Sequence, residues 1–444
     1  MVSVIDERSL LEFVTAQRWF GAPTADAVQA RLLDRIRLGE GGPELELELV
    51  EVGFASGRRE TYQLVAGGSR DALDDPSLLG ALPVLMGAGA SVAGRDGAVE
   101  FSAAGPDERL LRRPATVRAI DGEQTHSSVV FDERLILKLY RRLSPGPSPE
   151  LELLRFLAAR GFEHIAPVLG WYAYAGSPLG SPFDATLGIL QELVAGDDGW
   201  ELALATMADG AGGIVQHVRR LGAVTGTMHS LLASDEADPA FGPEQAPAEA
   251  FALLASSLGE AADRIFRDLP GGESAVEALR GRRRALDALL RRLARPGDAG
   301  RLCRGHGDLH LGQALWTGDD WVLVDFEGEP ARPVAERRRK RTPLRDVAGL
   351  LRSLAYAAAE SERSTGTAPP AGWEREARAE LLAGYRAAVD PSLVPRGGDF
   401  DRLLVLCELE RLLYELRYEL DNRPGWLGIP AAGLVRLLDE RGPR

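Results

Sequence analysis

Two rhythms of hydrophobic positions divide this chain. Residues 6–20 open it with an amphipathic pattern that predicts a helix, stopped at Gly21-Ala22-Pro23. From residue 44 a period of two takes over. Leu45, Leu47 and Leu49 alternate with acids, and residues 60–65 continue after the turn Ser56-Gly57-Arg58, which predicts a half-solvated antiparallel sheet. A Gly/Ala-rich stretch at 83–97 then reads as a boundary, and strand patterns resume over 100–194. The clearest of these are 131–140, which carries Arg134-Leu135-Ile136-Leu137-Lys138-Leu139-Tyr140, and 185–194, an apolar run followed by Gly196. Between them lie the loop Ser144-Pro145-Gly146-Pro147-Ser148-Pro149 and a helix over 150–160. From Gly199 the spacing becomes three to four. Ile214, Val218, Leu221, Val224, Met228 and Leu231 share one helical face, 275–295 is amphipathic, Pro343 opens another helix, and 399–421 predicts the last long one, ended by Pro424.

Composition narrows the class. The 444 residues leave room for two or three domains, and 45% hydrophobic content supports real cores. A net charge of −14 argues against a nucleic-acid partner and an anionic membrane surface. With Cys303 and Cys407 as the only cysteines, no disulfide framework is expected and a reducing compartment is. Neither a signal-like N-terminus nor a membrane-length apolar run occurs, so the expectation is cytoplasmic, without a membrane partner. Lysine is nearly absent: 52 basic residues include Lys138 and Lys340 alone. Lys340 sits in an arginine run, whereas Lys138 sits inside an apolar strand, where a compact point charge differs from a planar fork.

The chemistry gathers at 302–330, LCRGHGDLHLGQALWTGDDWVLVDFEGEP. Trp321-Val322-Leu323-Val324 reads as a short buried strand delivering Asp325 at its end, and Gln313 follows five residues after Asp308. Asp308, Gln313, Asp325 and Glu327 offer hard oxygen donors, which suits Mg²⁺. His306, Asp308 and His310 form the alternative, a zinc triplet, although it lacks a distant His or Cys cluster. The polar turn 122–129 places Thr125, Ser127 and Ser128 where hydroxyls and N–H groups would cover phosphates, or where they make a plain hairpin turn. On the last helix Glu408, Arg411, Glu415 and Tyr418 recur on one face, with Tyr414 and Glu419 beside them and Trp426 after the stop. Intrahelical salt bridging explains this face, and so does a sugar site with aromatics against the ring.

These motifs together resemble the actinobacterial maltokinase-like sugar kinases (maltokinases and glucosamine kinases) of the aminoglycoside phosphotransferase superfamily. The resemblance rests on Gly122-Glu123-Gln124 with Ser127-Ser128-Val129, on 135–143, HGDLHLGQ at 306–313, VDFEGEPAR at 324–332, PLRDV at 343–347 and YELRYELDNRPGW at 414–426. It implies an α+β, bilobal, protein-kinase-like (aminoglycoside phosphotransferase-like) fold with an extra N-terminal α/β cap domain: a cap over 1–98, a β-rich ATP-binding lobe over 99–195, and a mostly helical lobe over 196–444. It implies ATP and Mg²⁺ as cofactors, a small-molecule sugar as partner, and a monomer or weak dimer. Asp308 would be the base, Gln313 and Asp325 the metal ligands with Glu327 nearby, and Lys138 with Glu152 (Glu150 next) the phosphate clamp. Ser127 and Ser128 would face phosphates, and Gln191, Glu192 and Val194 would form the hinge at the adenine edge. His310, Glu408, Arg411, Tyr414, Glu415, Tyr418 and Trp426 would line the sugar site, and Asp346 would brace the catalytic loop or merely start its helix. Gln313 stands where the superfamily usually has Asn, and Arg411 stands where maltokinases carry a lysine. A surplus of carboxylate at Glu408, Glu410, Glu415, Glu419 and Asp421 favours a cationic sugar, so glucosamine phosphorylated at its 6-hydroxyl is expected ahead of maltose at its anomeric hydroxyl or an aminoglycoside.

Overall fold

The computed structural model describes residues 7–441 apart from 18, 21–25, 39–44, 68–69, 121–125, 209–212, 296, 330–331 and 367–368. The stop at 21–23 and most of the turn before Ser127 lie outside the described residues. The chain divides into two compact units, 1–155 with 166–194, and 156–165 with 195–444. Among the described residues no helix is long and apolar enough to cross a membrane.

The first unit holds two antiparallel sheets. In one, Ala27–Leu38, Leu45–Phe54 and Arg59–Gly67 pair in order, and Arg142–Leu143 joins the last of them. This sheet is covered on both faces, not half-solvated as its Leu/acid alternation predicts. Val50, Val52 and Phe54 pack with Leu10 and Val14 of the helix Glu7–Thr15. Leu45, Leu47 and Leu49, at the other parity, enter a second core with Leu137, Leu139 and Tyr172. The second apolar face begins only at Val50, so the acid-rich half of the strand hides it. The Gly/Ala-rich stretch forms the helix Ala81–Ala88 and the edge strand Ser91–Ala93, with Leu82 and Met86 fully buried in that core. The second sheet has seven strands, in the order Ser91–Ala93, Gly97–Ala103, Val168–Gly176, Phe183–Glu192, Leu135–Tyr140, His126–Phe131 and Val117–Ile120. Lys138 is therefore on an interior strand, opposite Ser128 on one side and Ile189 on the other.

The second unit is mostly helical, with a two-stranded pair of Glu244–Gln245 and Arg301–Leu302 and one three-stranded sheet. Ala314–Trp316 and Trp321–Leu323 form the expected hairpin, which Asp197–Asp198 extends. His164 accepts the Leu323 N–H through its carbonyl and meets the Trp321 carbonyl through Nδ1, pinning the hairpin from outside. The helices Val215–Leu232 and Trp373–Ala388 cross at backbone distance. A methyl on Gly222 would stand 2.1 Å from the Leu381 carbonyl oxygen, and one on Gly384 1.8 Å from that of Arg219. Only glycine permits that approach, which brings His229 and Tyr385 into contact.

Candidate active site

Within the first unit, the strand Leu135–Tyr140 presents Lys138 and Tyr140 on one face, because side chains two apart point the same way. The Lys138 Nζ lies 2.9 Å from the Glu150 carboxylate, and the Tyr140 hydroxyl donates to the same oxygen at 2.5 Å. Glu150 is 1% exposed, and these two donors meet the requirement that a buried carboxylate be hydrogen-bonded. The carboxylate seen on Lys138 is thus Glu150, the next choice after Glu152 in the sequence reading. Both sit in the first turn of Pro149–Ala158, where two residues rotate a helix by ~200° and so turn the two acids in different directions. The expectation for Ser127 is corrected. It lies within His126–Phe131, at the parity opposite Lys138, and its hydroxyl is held by Arg141 at 2.8 Å, itself bonded to Asp71 at 3.0 Å. Ser128, directly opposite Lys138, is buried on the lysine's face.

At the end of Phe183–Glu192 the segment expected to be the hinge is fixed by backbone bonds. Glu192 N–H donates to Pro167 and Leu193 N–H to Arg134, while the Gln191 amide holds the Ala166 carbonyl. Gln191, Glu192 and Val194 are half-buried, and among the described residues the Val194 N–H has no backbone partner.

In the second unit the loop 303–313 is suspended from Asp346, whose two oxygens accept the N–H groups of His306 at 2.8 Å and Gly307 at 3.0 Å. His229 Nε2 completes its shell at 3.0 Å, and Tyr385 bonds the other nitrogen of that ring. Burial would raise the Asp346 carboxyl, but the hydrogen bond and charge of His229, with His306 and the Gly307 N–H, outweigh it and hold it below the usual range. Asp346 therefore braces the loop. His306 spends both ring nitrogens, Nε2 on the Val324 carbonyl and Nδ1 toward the Asp308 N–H, so the zinc triplet does not form. Burial, joined by Arg411 and His306, pushes His310 below the ordinary imidazole range against the pull of Asp308.

The two acids stand at the ends of the hairpin. Asp308 precedes it and receives Nη2 of Arg411 at 2.5 Å on Oδ1. Asp325 follows it with φ +64°, a strained left-handed backbone for a non-glycine residue, which aims its carboxylate beside Gln313, whose amide donates at 3.0 Å. A carboxylate oxygen of Glu327 lies within 4.8 Å of one of Asp325. Phe326, fully buried against the His306 ring, anchors the turn between them. This donor set is all hard oxygen and fits Mg²⁺.

The terminal helix Gly398–Asn422 overturns the reading of its acids as a free surplus. Glu408 pairs with Arg378 at 2.6 Å and Glu415 with Arg352 at 3.0 Å. Glu410 pairs with Arg345, Glu419 with Arg423 and Asp421 with Arg417. Every one of the five is neutralised. Tyr414 and Tyr418 stack with centroids 6.4 Å apart, Tyr418 is exposed, and Trp426 lies under Arg363 and Arg423. Sequence reading missed Tyr140, Arg352 and Arg378. For Tyr140 a signal existed, its place two residues after the buried lysine; the arginines lie 30 to 63 residues from their acids and left none.

A buried lysine–glutamate pair in a β-rich unit, and two carboxylates bracketing a hairpin in a helical unit, are the equipment of a kinase-like phosphotransferase. The model of the phosphotransferase enzyme family (APH) matches residues 116–329, and that of the maltokinase N-terminal cap domain matches 13–92. A glucosamine kinase of Mycolicibacterium smegmatis (strain ATCC 700084 / mc(2)155) is 31% identical over 339 residues, 74% of this chain and 80% of that protein. One of Streptacidiphilus jiangxiensis is 28% identical over 338 residues, 73% and 74%. The solved structure of a glucosamine kinase in complex with glucosamine, ADP and inorganic phosphate superposes with a TM-score of 0.71 at 24% identity, covering 96% of this chain and 98% of that one. The chain belongs to the phosphotransferase enzyme family, in the maltokinase-like group that carries the N-terminal cap and includes glucosamine kinases.

Proposed function

We propose that the protein transfers the γ-phosphoryl group of ATP to the 6-hydroxyl of glucosamine. The observation that carries the reaction class is the placing of Asp308 and Asp325 at the two ends of one rigid hairpin. The substrate rests on the relative that is 31% identical and named a glucosamine kinase. In this reading Lys138, held by Glu150, takes the α- and β-phosphates, and the backbone of Glu192 and Val194 meets the adenine edge. Asp308 accepts the proton of the attacking hydroxyl, its rotamer set by Arg411. Asp325 and Glu327, with the Gln313 amide oxygen once that side chain turns, would hold Mg²⁺, which when bound neutralises charge on the phosphates. Tyr414, Tyr418 and Trp426 offer faces to the sugar ring, and His310, kept neutral, offers hydrogen bonds. Glu408 and Glu415 keep spare lone pairs beside their arginines, so they still accept from a hydroxyl or an ammonium.

Maltose is the second reading, favoured by the match of residues 13–92 to the maltokinase cap. ATP turnover with Mg²⁺ on glucosamine, N-acetylglucosamine, glucose, maltose and kanamycin tests both. Turnover on glucosamine with a much weaker response to N-acetylglucosamine is expected. Turnover on maltose alone would keep the kinase and replace the substrate.

A further inference from the structure

After the second acid the chain runs through Arg332, Arg337, Arg338, Arg339, Lys340, Arg341 and Arg345; Arg337 holds Glu327, and the phosphoryl-transfer reading gives the others no role. Within the second unit it folds around a cavity of about 50 Å³ whose lining includes Arg332, Arg337, Arg339, Arg341 and Arg345. The same cavity touches the backbone of Gly305, Gly307 and Gly328, which belong to the two loops that carry the acids.

Glu329, Glu336 and Asp346 also line the cavity, and Arg337 meets Glu327 at 3.8 Å, so the positive excess is confined to Arg339 and Arg341. Glu329 is taken by Arg332, Glu410 by Arg345, and Asp346 by the loop amides and His229. Among the described residues Arg341 has one carboxylate within 4.0 Å, Glu336 at 3.8 Å, and Arg332 approaches that same carboxylate at 3.4 Å. Arg339, exposed, has no ion pair among the described residues. Burial lowers the Arg341 guanidinium from its ordinary range, and Arg345 and Arg332 lower it further than Glu410 and Glu336 restore it. A cation crowded by cations in a half-buried place is stabilised by an incoming anion. A single water needs roughly 10–15 Å³ of such space, so the cavity takes a few waters or one tetrahedral oxyanion, whose oxygens match guanidinium forks.

We propose that this cavity binds a phosphate-type oxyanion, either inorganic phosphate or the head of a small phosphomonoester, at a site separate from the phosphoryl-transfer site. Because Gly307 hangs by its N–H from Asp346 and forms part of the wall, an anion seated here stiffens the loop that carries Asp308. Activity then senses the phosphate or phosphomonoester concentration. The sugar identity plays no part in this, and a failure to turn over glucosamine would leave it standing.

The test is isothermal titration of inorganic phosphate, and separately of glucosamine 6-phosphate, into the full chain in phosphate- and sulfate-free buffer. Mg²⁺ and a non-hydrolysable ATP analogue are kept saturating, so that the transfer site is filled. One saturable site is expected, weakened at least ~10-fold by Arg341→Gln, a 1.4 kcal/mol effect or more. Arg339→Ala, at an exposed position that leaves the fold undisturbed, is expected to weaken it several-fold. A response to both ligands marks free phosphate as sufficient, and a response to the ester alone marks the phosphomonoester as the ligand. No saturable binding to the unmodified chain, or binding unchanged in both variants, overturns the proposal.

Discussion

Arg411 reaches from the helix Gly398–Asn422 to place its Nη2 2.5 Å from Oδ1 of Asp308. Burial works against the guanidinium charge, but Asp308 outweighs it, aided by Glu415 and Tyr414, so Arg411 is held above its ordinary range. A charge-assisted bond of this length fixes the carboxylate rotamer, and misplacement of a base by an ångström costs about 100-fold in rate. Arg411→Met is therefore expected to lower kcat by roughly 10- to 100-fold with little change in KM for ATP. Arg411→Lys should recover part of the loss, since a lysine keeps the charge without the planar fork. Equal kcat in all three proteins, by steady-state assay, would show that Asp308 is positioned by something else.

Asp308→Asn removes the proton acceptor and leaves the shape. Turnover should fall by about 10²- to 10⁴-fold, while nucleotide binding, measured by fluorescence or calorimetry, stays within a factor of two or three. A variant that turned over normally would remove Asp308 from the role of base.

Lys138, Tyr140 and Glu150 form one unit, in which a single carboxylate oxygen takes both donors. Glu150→Gln takes a counter-charge from a buried ammonium, which costs about 3–5 kcal/mol and is expected to raise KM for ATP strongly. Tyr140→Phe removes one charge-assisted bond, about 1.5–3 kcal/mol, and keeps the ion pair. Its signature is a moderate rise in KM for ATP with kcat nearly intact, together with a lower melting temperature. Glu152→Gln is the control, and a loss there as large as in Glu150→Gln would reverse the assignment.

The parts of this site that could be read from the sequence are those held by local geometry. Asp308, Gln313 and Asp325 stand at spacings that a loop and a two-stranded hairpin set by themselves, and Lys138 stood out because this chain otherwise uses arginine. Side-chain partnerships across long sequence separation could not be read. Glu150 and Glu152 look alike until the helix is turned toward the strand. Ser127 looks like a loop hydroxyl until Arg141 claims it, itself held by Asp71 from 70 residues away. The terminal-helix acids look like an ammonium pocket until Arg345, Arg352 and Arg378 arrive from other helices. The cap sheet hid its second apolar face for a related reason, since Val50, Val52 and Phe54 change parity relative to Leu45, Leu47 and Leu49.

Asp346 makes the loop's attachment dependent on pH in a definite direction. Its carboxyl is held below the usual range when folded, against about 3.9 in the unfolded chain, so the unfolded state binds the proton first as pH falls. The stabilisation is complete above that unfolded value and drains away as pH descends through the folded one. Asp346→Asn lacks it throughout and also turns an amide N–H toward a backbone donor, so it should be less stable at pH 7 by about 1–3 kcal/mol. Melting temperatures of the two proteins at pH 7, 5 and 3.5 should therefore differ equally at the first two values, with a smaller gap at the third. A difference that widens on acidification would mean that another carboxylate carries the loop.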